Sequence, residues 1–219
     1  MSSEAFADEP LTPSAVARSR GIDEILHYTS HKGVLGILAS GAVKSRQRLD
    51  TDDYLEHIFH ATCAVRKDIR EFDYVNLSIS RINNALFEIA SEVWERNRDL
   101  GWAVLSFEPA ILDHPGVLFS TTNNMYPAKR HGTGVDGLEA LFAPRVAGRY
   151  GSIMVRGDDL PDNRPTDPQA EVLYPGELST GFLQRIYVSD HTQRATILAQ
   201  CDAIGHAEPD VIIDLDAFR

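Results

Sequence analysis

Two short segments of the sequence carry side chains suited to chemistry on a polar ligand. His27-Tyr28-Thr29 ends a predicted strand, and a predicted helix follows it directly. Because side chains alternate along a strand, His27 and Thr29 point to the same face, where an imidazole and a hydroxyl can contact one ligand. Glu171 opens a second predicted strand, among apolar neighbours. A carboxylate at such a position is either an exposed edge residue or a catalytic group.

Three other patterns have weaker chemical interpretations. Residues 132–137 spell G-x-G-x-x-G, but the dinucleotide-binding fingerprint needs a strand before the glycines and a long helix after them. Neither is predicted here, so we expect a flexible basic loop. His27 and His31 fall on different elements, and the acidic residues at 50–53 lack a further ligand at matched spacing. We therefore expect no metal site.

The predicted elements that must position these groups are short strands mixed with a few helices. Residues 1–20 are expected to be a polar tail and residues 21–219 a single domain. Helices are expected after Ser30, along residues 86–94, near residues 138–142 and after Asp190. Strands are expected at residues 22–29, 74–79, 102–107, 117–120, 152–155, 170–174, 184–188 and 211–213. The lack of regular strand–helix alternation predicts an α+β fold rather than a doubly wound sheet.

Composition restricts the classes of partner. The 219 residues carry a formal net charge of −11, which opposes long-range attraction to nucleic acid or anionic lipid. A nucleic-acid partner therefore needs a local basic surface. The two cysteines are typical of a reducing compartment, and no apolar run approaches the roughly 20 residues that span a bilayer. We expect a cytoplasmic protein without a membrane partner.

Four segments of the sequence, in order, resemble the DarT-type ADP-ribosyltransferases, toxins that move ADP-ribose from NAD onto nucleic-acid bases. The first is the His-x-Thr segment with the following helix, residues 27–38. The second runs from His60 to Arg66. The third joins Tyr74-Val75 to residues 81–86, and the last is Gln-Ala-Glu-Val-Leu at residues 169–173. Together the four segments span most of the chain.

The resemblance implies a fold and an activity. The fold is ADP-ribosyltransferase-like, α+β, with a central split, antiparallel-rich β-sheet and flanking helices. The activity is NAD-dependent transfer of ADP-ribose to a base of single-stranded nucleic acid, with DNA favoured over RNA. NAD is the co-substrate and no metal is needed. A toxin of this kind implies a macrodomain-type antitoxin as partner.

The resemblance also implies roles for particular residues. The two catalytic residues would be Glu171 and Arg66. Glu171 would stabilise the oxocarbenium-like transition state and orient or deprotonate the acceptor, and Arg66 would act electrostatically beside the NAD diphosphate. Six residues are expected at NAD, with Tyr28 or Phe59 stacking on nicotinamide: His27, Tyr28, Thr29, Gly36, Phe59 and Arg66. Five basic residues near the matched segments are expected to contact the strand: Arg46, Arg48, Arg81, Lys129 and Arg130.

The sequence departs from the family pattern at a few positions. Gly33 stands where the family has an Asn, and Ile79 and Ser80 replace an aromatic residue and a proline. Two alternatives therefore stay open: the same fold acting on protein, RNA or a small molecule or hydrolysing NAD, and a nucleotide-binding domain without turnover.

Overall fold

The computed structural model describes residues 11–49, 73–95 and 101–219. Twelve strands are found in this part of the chain: β1 (Ile25–Ser30), β2 (Ala42–Lys44), β3 (Tyr74–Ile79), β4 (Trp102–Phe107), β5 (Leu118–Ser120), β6 (His131–Gly132), β7 (Arg145–Ala147), β8 (Ile153–Val155), β9 (Glu171–Pro175), β10 (Glu177–Ser179), β11 (Leu183–Val188) and β12 (Val211–Ile213). The same ranges hold six α-helices: α1 (Pro13–Ser19), α2 (His31–Ser40), α3 (Arg46–Leu49), α4 (Asn84–Glu95), α5 (Gly134–Ala140) and α6 (His191–Ile204).

Eight strands form one sheet in the order β12-β11-β4-β1-β3-β9-β5-β6. All neighbours in it are antiparallel except β11 and β12, which run parallel. Two small antiparallel pairs, β2 with β10 and β7 with β8, lie beside it. The predicted α+β class is confirmed, and so is the expectation that residues 211–213 complete the sheet at one edge.

Local sequence explains where the helix after the first strand begins and ends. Ser30 is the N-cap of α2, and its hydroxyl accepts a hydrogen bond from the Gly33 N–H. Gly41 ends the helix in the left-handed conformation, with φ of 73°, which glycine adopts without a steric penalty. At the other end of the chain, Asp190 caps α6 by accepting from the Gln193 N–H. These capping residues were predicted from the sequence.

Two expectations from the sequence need correction. Residues 13–19 are not part of a polar tail but form α1, whose Val16 and Ala17 are buried in the main core. Residues 132–137 are not a flexible loop but the close crossing of β6 and α5. A Cβ on Gly132 would lie 2.6 Å from the Gly137 Cα, so this pair of glycines allows two backbones to touch.

The two faces of the sheet are covered by two hydrophobic clusters. The larger one includes Ile25, Leu77, Leu105 and Val172, whereas Leu26, Val104 and Tyr187 belong to the smaller one on the opposite face. None of the helices in the described ranges has the length and apolar character that a bilayer crossing requires.

Candidate active site

The sheet opens between its two central strands. β1 and β3 pair at Ile25↔Ile79 and Leu26↔Ser78. Beyond these two pairs β1 stays on β4 through Ser30, and β3 stays on β9 from Leu77 back to Tyr74. The strands therefore separate from His27 onward, which leaves an opening between β1 and β3 in the middle of the sheet. This is the split sheet that the family resemblance implied.

His27 reaches across the opening to β3. Its Nδ1 lies 3.0 Å from the carbonyl oxygen of Asn76. A carbonyl only accepts hydrogen bonds, so Nδ1 is the donor, and a neutral ring then carries its lone pair on Nε2. The strand backbone of β3 thereby sets both the orientation and the tautomer of the imidazole.

Glu171 also contacts Asn76, from β9, the strand that pairs with β3 on its other side. It is the first residue of β9 and is only 3% exposed. Its Oε2 accepts from the Asn76 side-chain amide at 3.5 Å and from the Asn124 backbone N–H at 2.8 Å. Since N–H donors stabilise the ionised carboxylate, Asn76 and Asn124 hold the acid in place. Asn76 thus contacts His27 through its carbonyl and Glu171 through its side chain.

Thr29 lies under the first turn of α2. It is 6% exposed, and an ideal Cβ on Gly33 would come within 2.1 Å of its Oγ1. The glycine that departs from the family pattern is therefore matched to this close approach: any side chain at position 33 requires Thr29 or the helix to move. Gly36, expected near NAD, lies one turn further along α2 and is half-buried.

Tyr28 points to the opposite face of β1. Its ring packs edge-on against Phe87 at 5.3 Å and against Trp102 at 6.1 Å, in the smaller hydrophobic cluster. His27 and Thr29 alternate with it, as the strand period requires. The stacking of Tyr28 on nicotinamide remains a prediction. Arg66 and Phe59 lie outside the described residues.

The polar segment that follows β5 is buried, which its sequence did not indicate. Thr121, Thr122, Asn123 and Asn124 are all nearly inaccessible, although the sequence predicted an irregular polar stretch. The Thr122 hydroxyl donates to Asp167 Oδ2 at 2.6 Å, and the Ser120 hydroxyl donates to the Thr122 carbonyl at 2.8 Å. We call residues 121–126 the inner loop; it presents the Asn124 N–H to Glu171.

The inner loop is also tied to the residues just before β9. Asp167 Oδ1 accepts from the Gln169 N–H, and Gln169 Oε1 accepts from the Tyr126 hydroxyl, both at 2.8 Å. Asn76 and Asn124 are the site residues that sequence reasoning missed. For Asn76 a signal existed, since it is a polar residue in a strand with β-branched and apolar neighbours; nothing in the sequence singled out Asn124.

The five predicted strand-binding residues do not come together in one patch. Arg48 lies near the start of β3, where its guanidinium forms ion pairs with Asp73 at 2.9 Å and with Glu177 at 3.6 Å. The contact with Asp73 raises the pKa of the guanidinium and lowers the pKa of the Asp73 carboxyl. Arg81 lies beyond the other end of β3, roughly 20 Å away, and donates to the Arg219 carbonyl.

The remaining three basic residues occupy different surroundings. Lys129 donates to the Asn124 carbonyl and so stabilises the inner loop, Arg130 is exposed next to it, and Arg46 begins the short helix α3. Among the described residues, no group of three His, Cys, Asp or Glu side chains could hold a metal ion.

Comparison with known proteins finds one matching family model. A family model described as ssDNA thymidine ADP-ribosyltransferase, DarT, matches residues 26–219. No curated protein sequence matches the chain significantly.

Three solved structures share the fold. DarT from Thermus sp. 2.9 with ADP-ribosylated ssDNA is 17% identical, with a TM-score of 0.62 over 91% of this chain and 97% of that one. The same protein with carba-NAD+ is 16% identical, with a TM-score of 0.61 over 90% and 98%. Thermosipho africanus DarTG with ADP-ribose is 15% identical, with a TM-score of 0.54 over 90% of this chain and 51% of that one.

Proposed function

Because the chain belongs to the DarT family of single-stranded-DNA thymidine ADP-ribosyltransferases, we propose that the cleft between β1 and β3 binds NAD and transfers its ADP-ribose to a thymine base. The observation that carries this proposal is the position of Asn76. Its carbonyl orients His27 and its amide contacts Glu171, so one residue of β3 lies next to both the imidazole and the buried carboxylate.

The bond that breaks is the one between C1′ of the nicotinamide ribose and the pyridine nitrogen. The bonding electrons leave with nicotinamide, which becomes neutral, so the departing ring needs no acid. Positive charge develops on the ribose instead, as in an oxocarbenium ion. A carboxylate held beside that ribose stabilises the charge in the transition state. Glu171 supplies this carboxylate, and the Asn124 N–H keeps it from rotating away.

The bond that forms joins C1′ to a ring nitrogen of thymine. N3 is the ring nitrogen of thymine that still carries a proton, and that proton is lost when the new bond forms. Glu171 accepts it and then passes it to water. In a duplex N3 is engaged in base pairing, so the acceptor must be unpaired. The chemistry therefore matches a single-stranded substrate.

The other cleft residues bind rather than react. The His27 imidazole contacts a ribose hydroxyl, while Thr29 places its hydroxyl on the same face of β1, at the first turn of α2. Both side chains are positioned by backbone contacts, His27 by Asn76 and Thr29 by the close approach of Gly33. This pre-organisation holds the ribose against Glu171 without a cost in side-chain ordering at the moment of reaction.

The test compares Glu171→Gln with the wild type and with Glu139→Gln, a matched change on the exposed side of α5. Each protein is incubated with NAD and a single-stranded oligonucleotide, and the products are measured by mass spectrometry. We expect Glu171→Gln to reduce transfer about a hundredfold or more and Glu139→Gln to retain it. Oligonucleotides of dA and dC alone, and an RNA, should remain unmodified.

Wild-type-like transfer by Glu171→Gln would contradict the assignment of the carboxylate. Modification of RNA or protein in preference to the thymidine oligonucleotide would contradict the assignment of the acceptor. Release of free ADP-ribose without any modified strand would favour NAD hydrolysis.

We further propose that the protein is the toxin of a pair, acting in the cytoplasm on accessible single-stranded DNA, with a macrodomain-type antitoxin. Support comes from the structural relative DarTG, about half of whose chain this fold covers. Expression in a bacterial host should arrest growth, Glu171→Gln should relieve the arrest, and co-expression of a macrodomain that removes ADP-ribose from DNA should relieve it for the wild type. Normal growth with active wild-type enzyme would contradict this role.

A further inference from the structure

The hairpin formed by β7 and β8 carries the most exposed aromatic side chain among the large hydrophobic residues of the described chain. Tyr150, at its tip, is 90% exposed. Ile153 and Val155 on β8 are exposed as well, so part of the outward side of the hairpin is apolar. Such a surface in a folded domain normally marks a contact with a partner.

The tip holds Tyr150 in a conformation that tyrosine seldom adopts. Its φ is 55°, in the left-handed region that is costly for residues with a bulky side chain. Arg149 supports the ring from below. Its guanidinium lies 4.5 Å from the ring centroid and donates to the Tyr150 hydroxyl at 2.8 Å. A strained, exposed ring backed by an arginine is a platform whose flat face is presented to the outside.

The charge of the hairpin is opposite to that of the molecule. Residues 145–156 contain three arginines and no acidic residue, in a chain of net charge −11. Arg145 and Arg149 are exposed, whereas Arg156 is used internally and donates to the carbonyls of Arg164 and Pro161. The acidic residues Asp158 and Asp159 begin only in the loop that follows. Basic charge next to an aromatic platform fits a polyanion better than it fits an apolar protein surface.

The hairpin is joined to the inner loop that holds Glu171. The Arg149 guanidinium lies 5.6 Å from the centroid of the Tyr126 ring, and the Tyr126 hydroxyl donates to Gln169, two residues before Glu171. In the turn of the hairpin, next to Arg149, a Cβ on Gly148 would come within 3.5 Å of Asp167 Oδ2. Tyr150 is thus connected to the reactive carboxylate through a short series of packed residues.

We propose that this hairpin binds the single strand beside the modified thymidine, with a neighbouring base stacked on Tyr150 and the backbone phosphates facing Arg149 and Arg145. Stacking on a tyrosine face is available to every base, so the contact adds affinity without reading sequence. The proposal rests on the proposed function, because it assigns the strand that the transfer reaction modifies.

The test uses Tyr150→Gly, because glycine accepts the left-handed φ and the variant is expected to fold at least as well as the wild type. Binding of a fluorescent single-stranded oligonucleotide is measured by anisotropy without NAD, and the steady-state parameters of transfer are measured with NAD. Affinity should fall roughly tenfold, with a matching rise in KM for the oligonucleotide and an unchanged KM for NAD. Tyr150→Phe, which keeps the ring, should stay within about twofold of the wild type.

A charge control separates the local contact from the field of the whole protein. Arg149→Ala and Arg18→Ala both remove one exposed positive charge, but Arg18 lies on α1. Only Arg149→Ala should weaken binding of the oligonucleotide. Equal affinities for Tyr150→Gly and the wild type would overturn the proposal, and the exposed face would then be assigned to a protein partner. Failure of the wild type to modify any single strand would instead overturn the proposed function itself.

Discussion

The inner loop and the β7–β8 hairpin lie in the same stretch between β5 and β9 and use polar residues in opposite ways. In the inner loop, small polar side chains are buried and their hydrogen bonds are satisfied by Asp167, Gln169 and each other. In the hairpin, an aromatic ring and two arginines are exposed, and the backbone at Tyr150 is strained. The first segment thus holds the carboxylate of Glu171 through a buried backbone N–H, whereas the second presents exposed aromatic and basic side chains.

Removing the shared acceptor of the inner loop should have the largest effect. Asp167→Ala leaves the Thr122 hydroxyl and the Gln169 N–H without their acceptor in a buried place. We expect the free energy of unfolding to fall by about 3 kcal/mol and transfer activity to fall with it, because Asn124 loses its support. Urea denaturation measures this, with exposed Asp158→Ala as the control. An equal loss from both variants would contradict the distinction.

A buried hydroxyl–carboxylate pair outside both segments provides a reference. The Tyr187 hydroxyl donates to Glu24 Oε2 at 2.8 Å, and burial together with this bond raises the pKa of Tyr187 to about 12. Its contribution is complete below pH 10, where the unfolded tyrosine is still neutral, and is lost as the pH rises toward 12.

The pH dependence then tests whether the Tyr187–Glu24 pair contributes as much to the free energy of unfolding as the Thr122–Asp167 pair of the inner loop. Over that range we expect the free energy of unfolding to fall by about 2 to 3 kcal/mol, since each pKa unit corresponds to about 1.4 kcal/mol. Tyr187→Phe should flatten the slope. A slope that is the same in the wild type and the variant would show that the pair contributes little.

Weakening the link between the two segments should have a smaller effect. Tyr126→Phe removes the hydroxyl that donates to Gln169 but keeps the ring next to Arg149. We expect a loss of about 1 kcal/mol in the free energy of unfolding. If the hydroxyl positions Glu171, kcat should fall while KM for the oligonucleotide is kept. A change in KM alone would place Tyr126 with the hairpin instead.

The smallest effect on stability, and the only one of opposite sign, is expected at the hairpin tip. Tyr150→Gly relieves the left-handed strain, so the free energy of unfolding should stay the same or rise by up to about 1 kcal/mol. Thermal unfolding checks this, with Ile153→Gly, in the regular part of β8, as the control that should destabilise. Destabilisation of equal size in both variants would show that Tyr150 stabilises the fold and would contradict a role for its ring in binding only.

Gly33, which replaces the Asn of the family pattern, has one explanation from the sequence and a different one from the structure. From sequence, Gly33 in place of the family Asn suggested a lost ligand contact. In the structure Gly33 lies against the Thr29 hydroxyl, so the absence of a side chain has a packing reason. Sequence alone cannot distinguish these cases, because the neighbour that excludes a Cβ is set by the angle between β1 and α2.

Eight of the twelve strands and four of the six α-helices found in the described residues were predicted from the sequence, whereas the short strands β2, β6, β7 and β10 and the helices α1 and α3 were not. β3 and β4 were predicted residue for residue, and the caps of α2 and α6 were identified, because alternation and capping depend on neighbours a few positions away. His27, Thr29 and Glu171 were candidates for the same reason, as polar groups set among apolar strand residues. The expected polar tail was wrong over α1, since only tertiary contact buries a helix of seven residues with few apolar side chains.

Tertiary structure alone decided what these residues do for one another. The opening between β1 and β3 arises because each strand follows a different neighbour beyond two shared pairs. The tertiary structure also places Asn76 in contact with both His27 and Glu171. It brings the Asn124 N–H to the Glu171 carboxylate, 47 residues away in sequence. Local sequence determines which backbone conformations and faces are favoured, whereas contacts between distant segments depend on how the sheet twists and closes, which no short window of residues contains.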